Sequence, residues 1–578
     1  MERYYNLLKE WCDRLISLQI KEIKDKNFYG GILCPACSLI HGRIADAVYP
    51  FTLLYDKTGD EKYLDAAKLV IDWAEYNVIR SEGGYFNDKG NGWMGTTAFF
   101  ASALGDALLY HGKCLDQETY NKWMTIFERC VEFVYDYFDR PTFRSVINYR
   151  AGECQTMAIA YALLGKEKYK AKAYEKAEFV KQFFTEEGLL SGEGPWNEQT
   201  PKNCTYVDLG YNVEESLPAL VIFAHLMKDE EYMKFFAQKY KAHIAFMLPD
   251  GSWDNSWGSR SDKWTYWGSR TSDGAQTGLC LLADYDPVFA EAAQRNFELY
   301  EKCSADGYLY GGKMYIEAGE EPCTHHSFCH AKALCAMLDT GFTYKKKVKL
   351  PREEACGVSN YPSVHVHMIA KGEWRATISD NDAIGAGKAS SGGSITMLWH
   401  QKTGPVFAAS MPKYKMAEPL NMQRSRHDDE MDCITPRIQD LNYDSTNEYA
   451  AVVTVTETAK EIKTVSCGTL KNADFKEKGS YQLGYVFTED AVTITGKAEN
   501  ECILKLPVIC SAKDEVTVTD HKIEIKRNGA VISLTSHSQL ELEHALTKRR
   551  FHVIGGFQTL GVIVKMTAGK EYSVTVKI

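Results

Sequence analysis

Residues 81–140, SEGGYFNDKGNGWMGTTAFFASALGDALLYHGKCLDQETYNKWMTIFERCVEFVYDYFDR, contain one unit of the pattern that decides the fold. A glycine-rich polar loop leads into a helical apolar pattern over 97–112, and the short connection HGKCLDQETY joins this to a second helical pattern over 116–138. Apolar residues at helical spacing predict amphipathic helices. The stretch therefore predicts two antiparallel helices that follow a long loop.

This unit recurs roughly every 55 residues, and a period of that size is typical of a ring or a solenoid. Short connections alternate with six long ones, so all long loops lie at one end if outer and inner helices alternate. Four of the six begin with Gly-Gly or an acidic residue and Gly, which favours a helix end. We predict a closed ring, with an open solenoid as the alternative. The twelve predicted helices are 2–24, 41–56, 60–80, 97–112, 116–138, 150–164, 166–184, 211–227, 230–247, 272–283, 285–302 and 326–340.

The pattern changes near residue 345. Beyond it, apolar and polar residues alternate, as in AVVTVTETAKEIKTVSC and DEVTVTDHKIEIKRNGAVISL, and this alternation predicts strands. A dozen or more such strands favour two packed antiparallel sheets. The predicted fold class is α+β multidomain, with an N-terminal (α/α)6 toroid over 1–345 and an antiparallel β-sandwich over 350–578.

The composition narrows the classes of function. A net charge of −10 disfavours nucleic acid as a partner, because phosphate binding needs a basic face. The chain has no run of about 18 apolar residues, so we expect no membrane span. The seventeen cysteines and a first segment without signal-peptide features favour the cytoplasm, although a mature secreted chain would look the same. The oligomeric state stays open.

The long loop DGSWDNSWGSRSDKWTYWGSRTSDG, residues 250–274, is unusually aromatic and repeats Trp-Gly-Ser-Arg. Flat rings stack on the C–H faces of sugars, and fixed polar groups hydrogen-bond to hydroxyls. We therefore predict a carbohydrate cleft on the loop face, where arginines hold substrate carboxylates. The predicted stacking rings are Trp196, Trp253, Trp257 and Trp267, and the arginines of this loop are Arg260 and Arg270.

The sequence resembles the (α/α)-toroid polysaccharide lyases, which include the heparinase II/III and chondroitin lyase groups. The resemblance covers nearly the whole chain as architecture, and the rhamnose–glucuronate lyases of family 27 are a second candidate family. Chondroitin-type lyases have a His in the fourth-repeat loop where Gln199 stands, so a catalytic His must come from elsewhere. The matching residues are Asn148 of INYRAGE, then Glu193, Gly194, Trp196, Tyr206 and Tyr211 of GEGPWNEQTPKNCTYVDLGYN, then Arg260 and Arg270.

The resemblance implies β-elimination at a 4-linked uronic acid. This reaction needs groups that neutralise the carboxylate, a base for the C5 proton and an acid for the leaving O4. Asn148 with Arg150, and Arg260 or Arg270, are candidates to hold the carboxylate. Tyr206 or Tyr211 is a candidate for proton transfer, because a neighbouring cation lowers the pKa of a tyrosine.

Histidines supply a second group of candidates. LIHGRIAD places His41 and Arg43 at the head of the second helix, and CTHHSFCHAKAL places His325 and His326 at the head of the twelfth. These two helices are neighbours if the ring closes. We expect one Tyr and one His to divide the roles of base and acid, although capping or packing would also explain these histidines.

The segment CPACSLIH also has the spacing of metal ligands. Cys34, Cys37 and His41 form half a zinc motif, and Cys323, Cys329 and His330 come near them in a closed ring. Buried free cysteines are the alternative. We predict no cofactor and leave a structural metal open.

Two rival functions remain. A toroid glycoside hydrolase acting on unsaturated uronyl oligosaccharides would use the carboxylates of Asp208, Glu214, Glu215 or Asp254. A non-catalytic glycan-binding protein would need the rings but no base.

The segment EPLNMQRSRHDDEMDCITPR, with Arg424, Arg426 and His427, is predicted to lean over the toroid mouth or to be a solvated loop. The preferred prediction is a lyase that cleaves a uronic-acid-containing glycan by β-elimination.

Overall fold

The computed structural model describes residues 1–87, 92–140, 146–195, 200–383, 389–411 and 433–578. Trp196, Gln199, Arg424, Arg426 and His427 fall outside these described residues, and the roles expected for them stay predictions.

The described helices lie before residue 355. They are α1 Glu2–Ser17, α2 Val48–Thr58, α3 Glu61–Asn77, α4 Thr97–His111, α5 Gln117–Tyr137, α6 Ile147–Leu164, α7 Glu167–Lys181, α8 Leu209–Tyr211, α9 Leu217–Met227, α10 Glu230–Ile244, α11 Gln276–Leu281, α12 Pro287–Lys302, α13 Lys313–Ala318, α14 Thr324–Asp339 and α15 Pro351–Glu354. A 3-10 segment, Gly42–Ala47, precedes α2, and a π-helical turn, Asn212–Ser216, joins α8 to α9. Among the described helices, none combines the length and apolar character that crossing a bilayer requires.

Six inner helices form a closed ring. Helices α2, α4, α6, α9, α11 and α14 contact one another in that order, and α14 contacts α2 again. The outer helices α3, α5, α7, α10 and α12 each pack on the inner helix next to them in sequence, and α1 packs on α14. The predicted (α/α)6 toroid is therefore confirmed, and the open solenoid is excluded.

The predicted helices that correspond to α1 and α11 exceed the observed ones by the largest margins. Helix α1 ends at Ser17 rather than at 24, because Gln19 turns into a bridge with Ile32. Helix α11 spans Gln276–Leu281 rather than 272–283. In both cases, residues that were predicted to be helical belong to the adjacent long loop instead.

A small hairpin follows several outer helices and turns the chain into a long loop. Bridges join Ile79 to Tyr85, Phe184 to Leu190 and Met247 to Trp253. Each hairpin contains a glycine in the left-handed region, and these glycines are Gly83, Gly188 and Gly251, with φ of 94°, 89° and 90°. The acidic-Gly signal in the sequence therefore marks these hairpins, where a side chain would strain the backbone.

Gly251→Ala is expected to destabilise the fold more than Gly59→Ala. Both glycines have positive φ, so alanine costs roughly 1–2 kcal/mol at either position. A Cβ at Gly251 would lie 2.5 Å from the backbone carbon of Arg295, whereas a Cβ at Gly59 meets nothing within 4 Å. The overlap adds about 1–3 kcal/mol. Chemical denaturation of both variants measures the difference, and equal losses would contradict this account of the hairpin.

The C-terminal part is a sandwich of two antiparallel sheets. One sheet consists of the five described strands between residues 357 and 408, paired in chain order, and the other is a large curled sheet of the fourteen described strands between residues 437 and 577. Apolar side chains of both sheets share one core. The predicted β-sandwich is confirmed. The described strands are β1 Trp264–Thr265, β2 Gly268–Ser269, β3 Ser304–Ala305, β4 Tyr308–Leu309, β5 Gly357–Tyr361, β6 Val366–Lys371, β7 Trp374–Ser379, β8 Ser394–His400, β9 Gly404–Ala408, β10 Arg437–Asp440, β11 Tyr443–Asp444, β12 Val452–Glu457, β13 Ile462–Lys471, β14 Glu477–Phe487, β15 Ala491–Ala498, β16 Cys502–Ile509, β17 Glu515–Thr519, β18 Lys522–Arg527, β19 Ala530–Thr535, β20 Glu541–Leu542, β21 Arg550–His552, β22 Phe557–Met566 and β23 Glu571–Lys577.

The β-sandwich packs against the long-loop end of the toroid. The amide of Gly555 donates to the Trp264 carbonyl at 3.0 Å, and the Trp264 ring lies 5.9 Å from that of Phe557. Further along the mouth, the amide of Thr205 donates to the Ser363 carbonyl at 2.8 Å. The loops that form the mouth are thus held from both domains.

Candidate active site

Tyr211 lies at the end of α8, where the π-helical turn begins, and it is buried at the mouth of the ring. Asp208 caps this segment by accepting from the Tyr211 amide at 2.8 Å. The phenol oxygen contacts the hydroxyl of Thr271, and Lys263 Nζ lies 3.5 Å from it. Arg260 stacks its guanidinium 4.2 Å from the Tyr211 ring centroid. Two cations therefore surround one tyrosine.

A carboxylate ties this tyrosine to the head of α6. Glu193 accepts from Arg260 Nη1 at 3.2 Å and from the backbone amide of Asn148 at 3.1 Å. The Asn148 side-chain oxygen is buried and has no hydrogen-bond partner among the described residues. Asn148, Glu193, Arg260 and Tyr211 thus form one connected group drawn from three successive repeats, and all four stand in the motifs that carry the resemblance.

Partly exposed aromatic rings lie beside this group. Trp93 packs edge-on against Tyr149, with ring centroids 5.1 Å apart, and Tyr149 packs against Phe99 at 5.4 Å. Burial raises the pKa of Tyr149, and the negative charges of Tyr211 and Glu215 add to the rise, which keeps its phenol protonated. Tyr206 is also partly exposed and packs on Gly194, where a Cβ would lie 2.4 Å from its ring. Trp93, Tyr149 and Tyr206 are thus partly exposed, in contrast to the buried tryptophans of residues 250–274.

The predicted histidines meet at the seam of the ring. The rings of His41 and His325 lie 5.2 Å apart, which confirms that closure brings the heads of the first and last inner helices together. Both nitrogens of His325 are buried without a hydrogen-bond partner among the described residues. His41 Nε2 instead lies 3.5 Å from Cys37 Sγ and 3.8 Å from Cys323 Sγ. His326 is buried edge-on against Trp267, further from the mouth.

Arg43 belongs to a buried ion network rather than to a substrate surface. It pairs with Asp46 at 2.7 Å and with Asp273 at 2.8 Å, and Lys332 pairs with the same two carboxylates. Its Nη1 also donates to the Thr271 carbonyl at 2.9 Å. Arg43 therefore positions the residue that contacts the Tyr211 hydroxyl, which corrects the prediction that it binds substrate.

The tryptophans of residues 250–274 are core residues. Trp253, Trp257 and Trp267 are at most 1% exposed, so none of these rings presents a face to a sugar. They join an apolar core that continues into Val553 and Phe557 of the β-sandwich. The predicted stacking role is therefore corrected: these rings fasten the loop between the two domains.

Two predicted arginines also have other partners. Arg150 points toward the outer layer, where it lies 3.4 Å from Glu153 and 3.5 Å from Asp139. Arg270 is 2% exposed and its Nη2 lies 3.4 Å from the Val553 carbonyl. Of the four arginines proposed for substrate, Arg260 alone lies against Tyr211 in the described structure.

Three of the four carboxylates proposed for a hydrolase are occupied, and both oxygens of the fourth, Glu215, have no hydrogen-bond partner among the described residues. Asp208 accepts three backbone or side-chain N–H groups within the loop, and Asp254 pairs with Arg352 at 2.8 Å between the domains. Glu214 accepts from the Ser269 amide and from the Ser272 hydroxyl. Glu215 lines the central cavity of the ring, where burial raises its pKa to about 8. The described arrangement gives no facing pair of carboxylates at the mouth.

Sequence reasoning missed Lys263, Thr271 and Tyr149. Tyr149 follows Asn148 directly, so its place in the first turn of α6 was a usable signal. Lys263 stands among the tryptophans of its loop, and this setting was a weak signal. It is only 3% exposed, and a lysine is rarely buried unless it is paired. Thr271 carried no signal, because its role depends on a contact with Tyr211 across sixty positions.

The pH dependence of activity is expected to report Glu193. Burial raises its pKa to about 7, although the charge of Arg260 opposes the rise. The carboxyl is therefore neutral below about pH 7 and ionised above it, so its pairing with Arg260 strengthens as the pH rises. We expect kcat/KM of the wild type to rise as the pH increases through about 7. Glu193→Gln should have a lower kcat/KM that does not rise over the same pH interval. If kcat/KM of the wild type and of Glu193→Gln fell equally at low pH, Glu193 would be excluded as the cause of that fall.

Comparison with known proteins identifies the family. The model of the ulvan lyase N-terminal domain matches residues 8–353, and that of the ulvan lyase C-terminal domain matches residues 358–578. A broad-specificity ulvan lyase of Formosa agariphila is 38% identical over 582 residues, which cover 96% of this chain and 90% of that protein.

Solved structures share the architecture. Heparinase III superposes with a TM-score of 0.55 at 12% identity, over 92% of this chain and 75% of that one. The chondroitin AC lyase of Streptomyces coelicolor A3, in complex with chondroitin sulphate, gives 0.52 at 13% identity, over 100% and 83%. These similarities confirm the fold predicted from the resemblance to toroid lyases. The chain belongs to the ulvan lyase family and is a polysaccharide lyase.

Proposed function

We propose that the protein cleaves ulvan, a polysaccharide that contains uronic acid, by β-elimination at the mouth of the toroid. The relative of known specificity is an ulvan lyase, and it aligns with nearly the whole chain. The observation that carries the mechanism is the placement of the Tyr211 hydroxyl between Lys263 and Thr271, under the guanidinium of Arg260.

Tyr211 is the general acid. In the elimination, the C4–O4 bond breaks, and the phenol gives its proton to the departing O4. The phenolate that forms is stabilised by Lys263 and Arg260, because both cations already stand where the negative charge develops. A tyrosine without such neighbours has a pKa near 10 and donates less readily near neutral pH.

His325 is the base. Its ring nitrogens have no partner among the described residues, so a lone pair is available for the C5 proton. As that proton leaves, its electron pair forms the C4=C5 double bond, and the electron pair of the C4–O4 bond goes to the leaving oxygen. The product is one sugar with an unsaturated uronate end and one with a free hydroxyl.

Arg260 and Asn148 bind the substrate carboxylate. Neutralising that charge is necessary because the C5 proton is otherwise too weak an acid. Glu193 holds both residues, since it accepts from the Arg260 side chain and from the Asn148 amide. The partly exposed rings of Trp93 and Tyr149 supply the sugar-stacking surface that the buried tryptophans do not.

Incubation with purified ulvan tests this function. We expect ultraviolet absorbance from the conjugated uronate to rise together with new reducing ends, and no change with a neutral polysaccharide such as dextran. New reducing ends without that absorbance would indicate hydrolysis and contradict the proposal. No cleavage of ulvan, with cleavage of another uronate polysaccharide, would retain elimination and reject the substrate.

A further inference from the structure

Three thiols and one imidazole converge at the seam of the ring. Cys34 Sγ lies 3.8 Å from Cys323 Sγ, His41 Nε2 lies 3.5 Å from Cys37 Sγ, and the same nitrogen lies 3.8 Å from Cys323 Sγ. The ligand atoms of Cys34, Cys37 and His41 are all within 4.8 Å of one another. Cys323 joins them from a segment 289 positions away from Cys34.

These separations are the edges of a tetrahedron that would hold zinc. Zn–S bonds of about 2.3 Å and Zn–N bonds of about 2.0–2.1 Å give tetrahedral edges of about 3.8 Å between sulfurs and about 3.5 Å between sulfur and nitrogen. The 3.8 Å between Cys34 and Cys323 and the 3.5 Å between Cys37 and His41 agree with these values, and the 3.8 Å between Cys323 and His41 is slightly longer than the ideal edge. Three cysteines and one histidine are a common ligand set of structural zinc sites. We propose that Cys34, Cys37, His41 and Cys323 bind one Zn²⁺.

The cluster is neither a disulfide nor a network of paired charges. A disulfide needs sulfurs about 2.05 Å apart, and all of these cysteines are free. The second cluster of potential ligands, Asp46, Asp273 and Cys329, is different in kind. Its carboxylates are neutralised by Arg43 and Lys332, so it needs no metal to balance its charge.

The position of the site indicates its role. His41 precedes the 3-10 segment that leads into α2, and Cys323 precedes α14. These are the first and the last inner helices, which contact each other where the ring closes. The zinc fastens the two ends of the repeat array at the mouth. It holds His41 as a ligand beside His325, whose ring centroid lies 5.2 Å from that of His41.

The metal content of the untagged full-length protein tests this site independently of activity. After incubation with Zn²⁺ and gel filtration, we expect one zinc per chain in the wild type by plasma mass spectrometry. Cys37→Ser and Cys323→Ser should each lose most of it and show a lower Tm. Cys114→Ser is the matched control, because Cys114 is also partly exposed but lies between α4 and α5. It should keep the zinc.

Cobalt gives a second measurement on the same protein. Co²⁺ bound by thiolates in a tetrahedral site should produce thiolate charge-transfer and intense visible bands in the wild type and in Cys114→Ser, and these bands should be lost in Cys323→Ser. A wild type that retains neither zinc nor the cobalt spectrum would overturn the proposal. So would variants at Cys37 and Cys323 that retain both metals as the wild type does. Lyase activity is a separate readout, and its absence with zinc bound would leave the site established.

Discussion

Tyr211→Phe is expected to lower kcat on ulvan by about 10²–10⁴, the usual contribution of a positioned acid or base. The substitution removes one oxygen and keeps the ring under Arg260, so the binding surface should change little. KM should therefore stay near the wild-type value while kcat falls. Steady-state kinetics, followed by the absorbance of the unsaturated product, measures both constants.

Tyr240→Phe is the matched control for this variant. Its hydroxyl is equally buried, but it donates to the Val213 carbonyl behind the mouth. We expect near-normal kcat, with a loss of about 0.5–1.5 kcal/mol in the free energy of unfolding. Near-normal kcat in Tyr211→Phe, with the fold intact, would remove Tyr211 from proton transfer.

Arg352→Ala is expected to cost about 3–5 kcal/mol of stability, because it leaves a buried carboxylate unpaired. Arg352 and Asp254 pair at 2.8 Å, and their side chains are 2% and 0% exposed. Asp254 lies in the loop of residues 250–274. Arg352 lies on α15, immediately before the first strand of the β-sandwich, and also donates a hydrogen bond to Thr377 on β7. The lost pair should loosen the loop from the sandwich. Chemical denaturation measures the loss.

Lys122→Ala is a control for Arg352→Ala. Lys122 and Asp72 pair at 2.6 Å, but both side chains are more than half exposed. Exposed pairs contribute about 0–1 kcal/mol, so this variant should unfold nearly as the wild type does. Similar losses in the two variants would contradict the role given to the buried pair.

The architecture was predictable because it depends on local patterns. The alternation of short and long connections indicated the inner and outer helices, and the change of period near residue 345 indicated the sandwich. The hairpins after the outer helices were visible only as acidic-Gly pairs. Their common requirement is a positive φ at Gly83, Gly188 and Gly251, which a periodicity argument does not detect.

The stacking role predicted for the tryptophans of residues 250–274 was wrong for a physical reason. A loop rich in Gly, Ser and Asp is usually exposed, so its rings were expected to bind sugars. This loop is covered by a second domain, and Trp264 packs on Phe557 of that domain. Sequence patterns give no information about which surface another domain will cover, so the same rings that suit a substrate also suit an interface.

The arrangement of the proposed site was predicted in part. Tyr211, Asn148 and Arg260 were expected to lie together because a family pattern places them in successive repeats, and Glu193 and the Arg260–Tyr211 contact connect them. Arg150 and Arg270 stand in the same motifs, but their side chains reach Asp139 and Val553 instead. Lys263 and Thr271 were missed, since only the folded loop brings them to the Tyr211 hydroxyl.

The mass of the ulvan fragments tests the central claim most directly. Elimination adds no water, so each new non-reducing end should be one water lighter than a hydrolysis product and should carry a C4=C5 double bond. We expect the wild type to produce such ends throughout the reaction and Tyr211→Phe to produce almost none. Fragments whose new ends carry the added water would contradict elimination at this site.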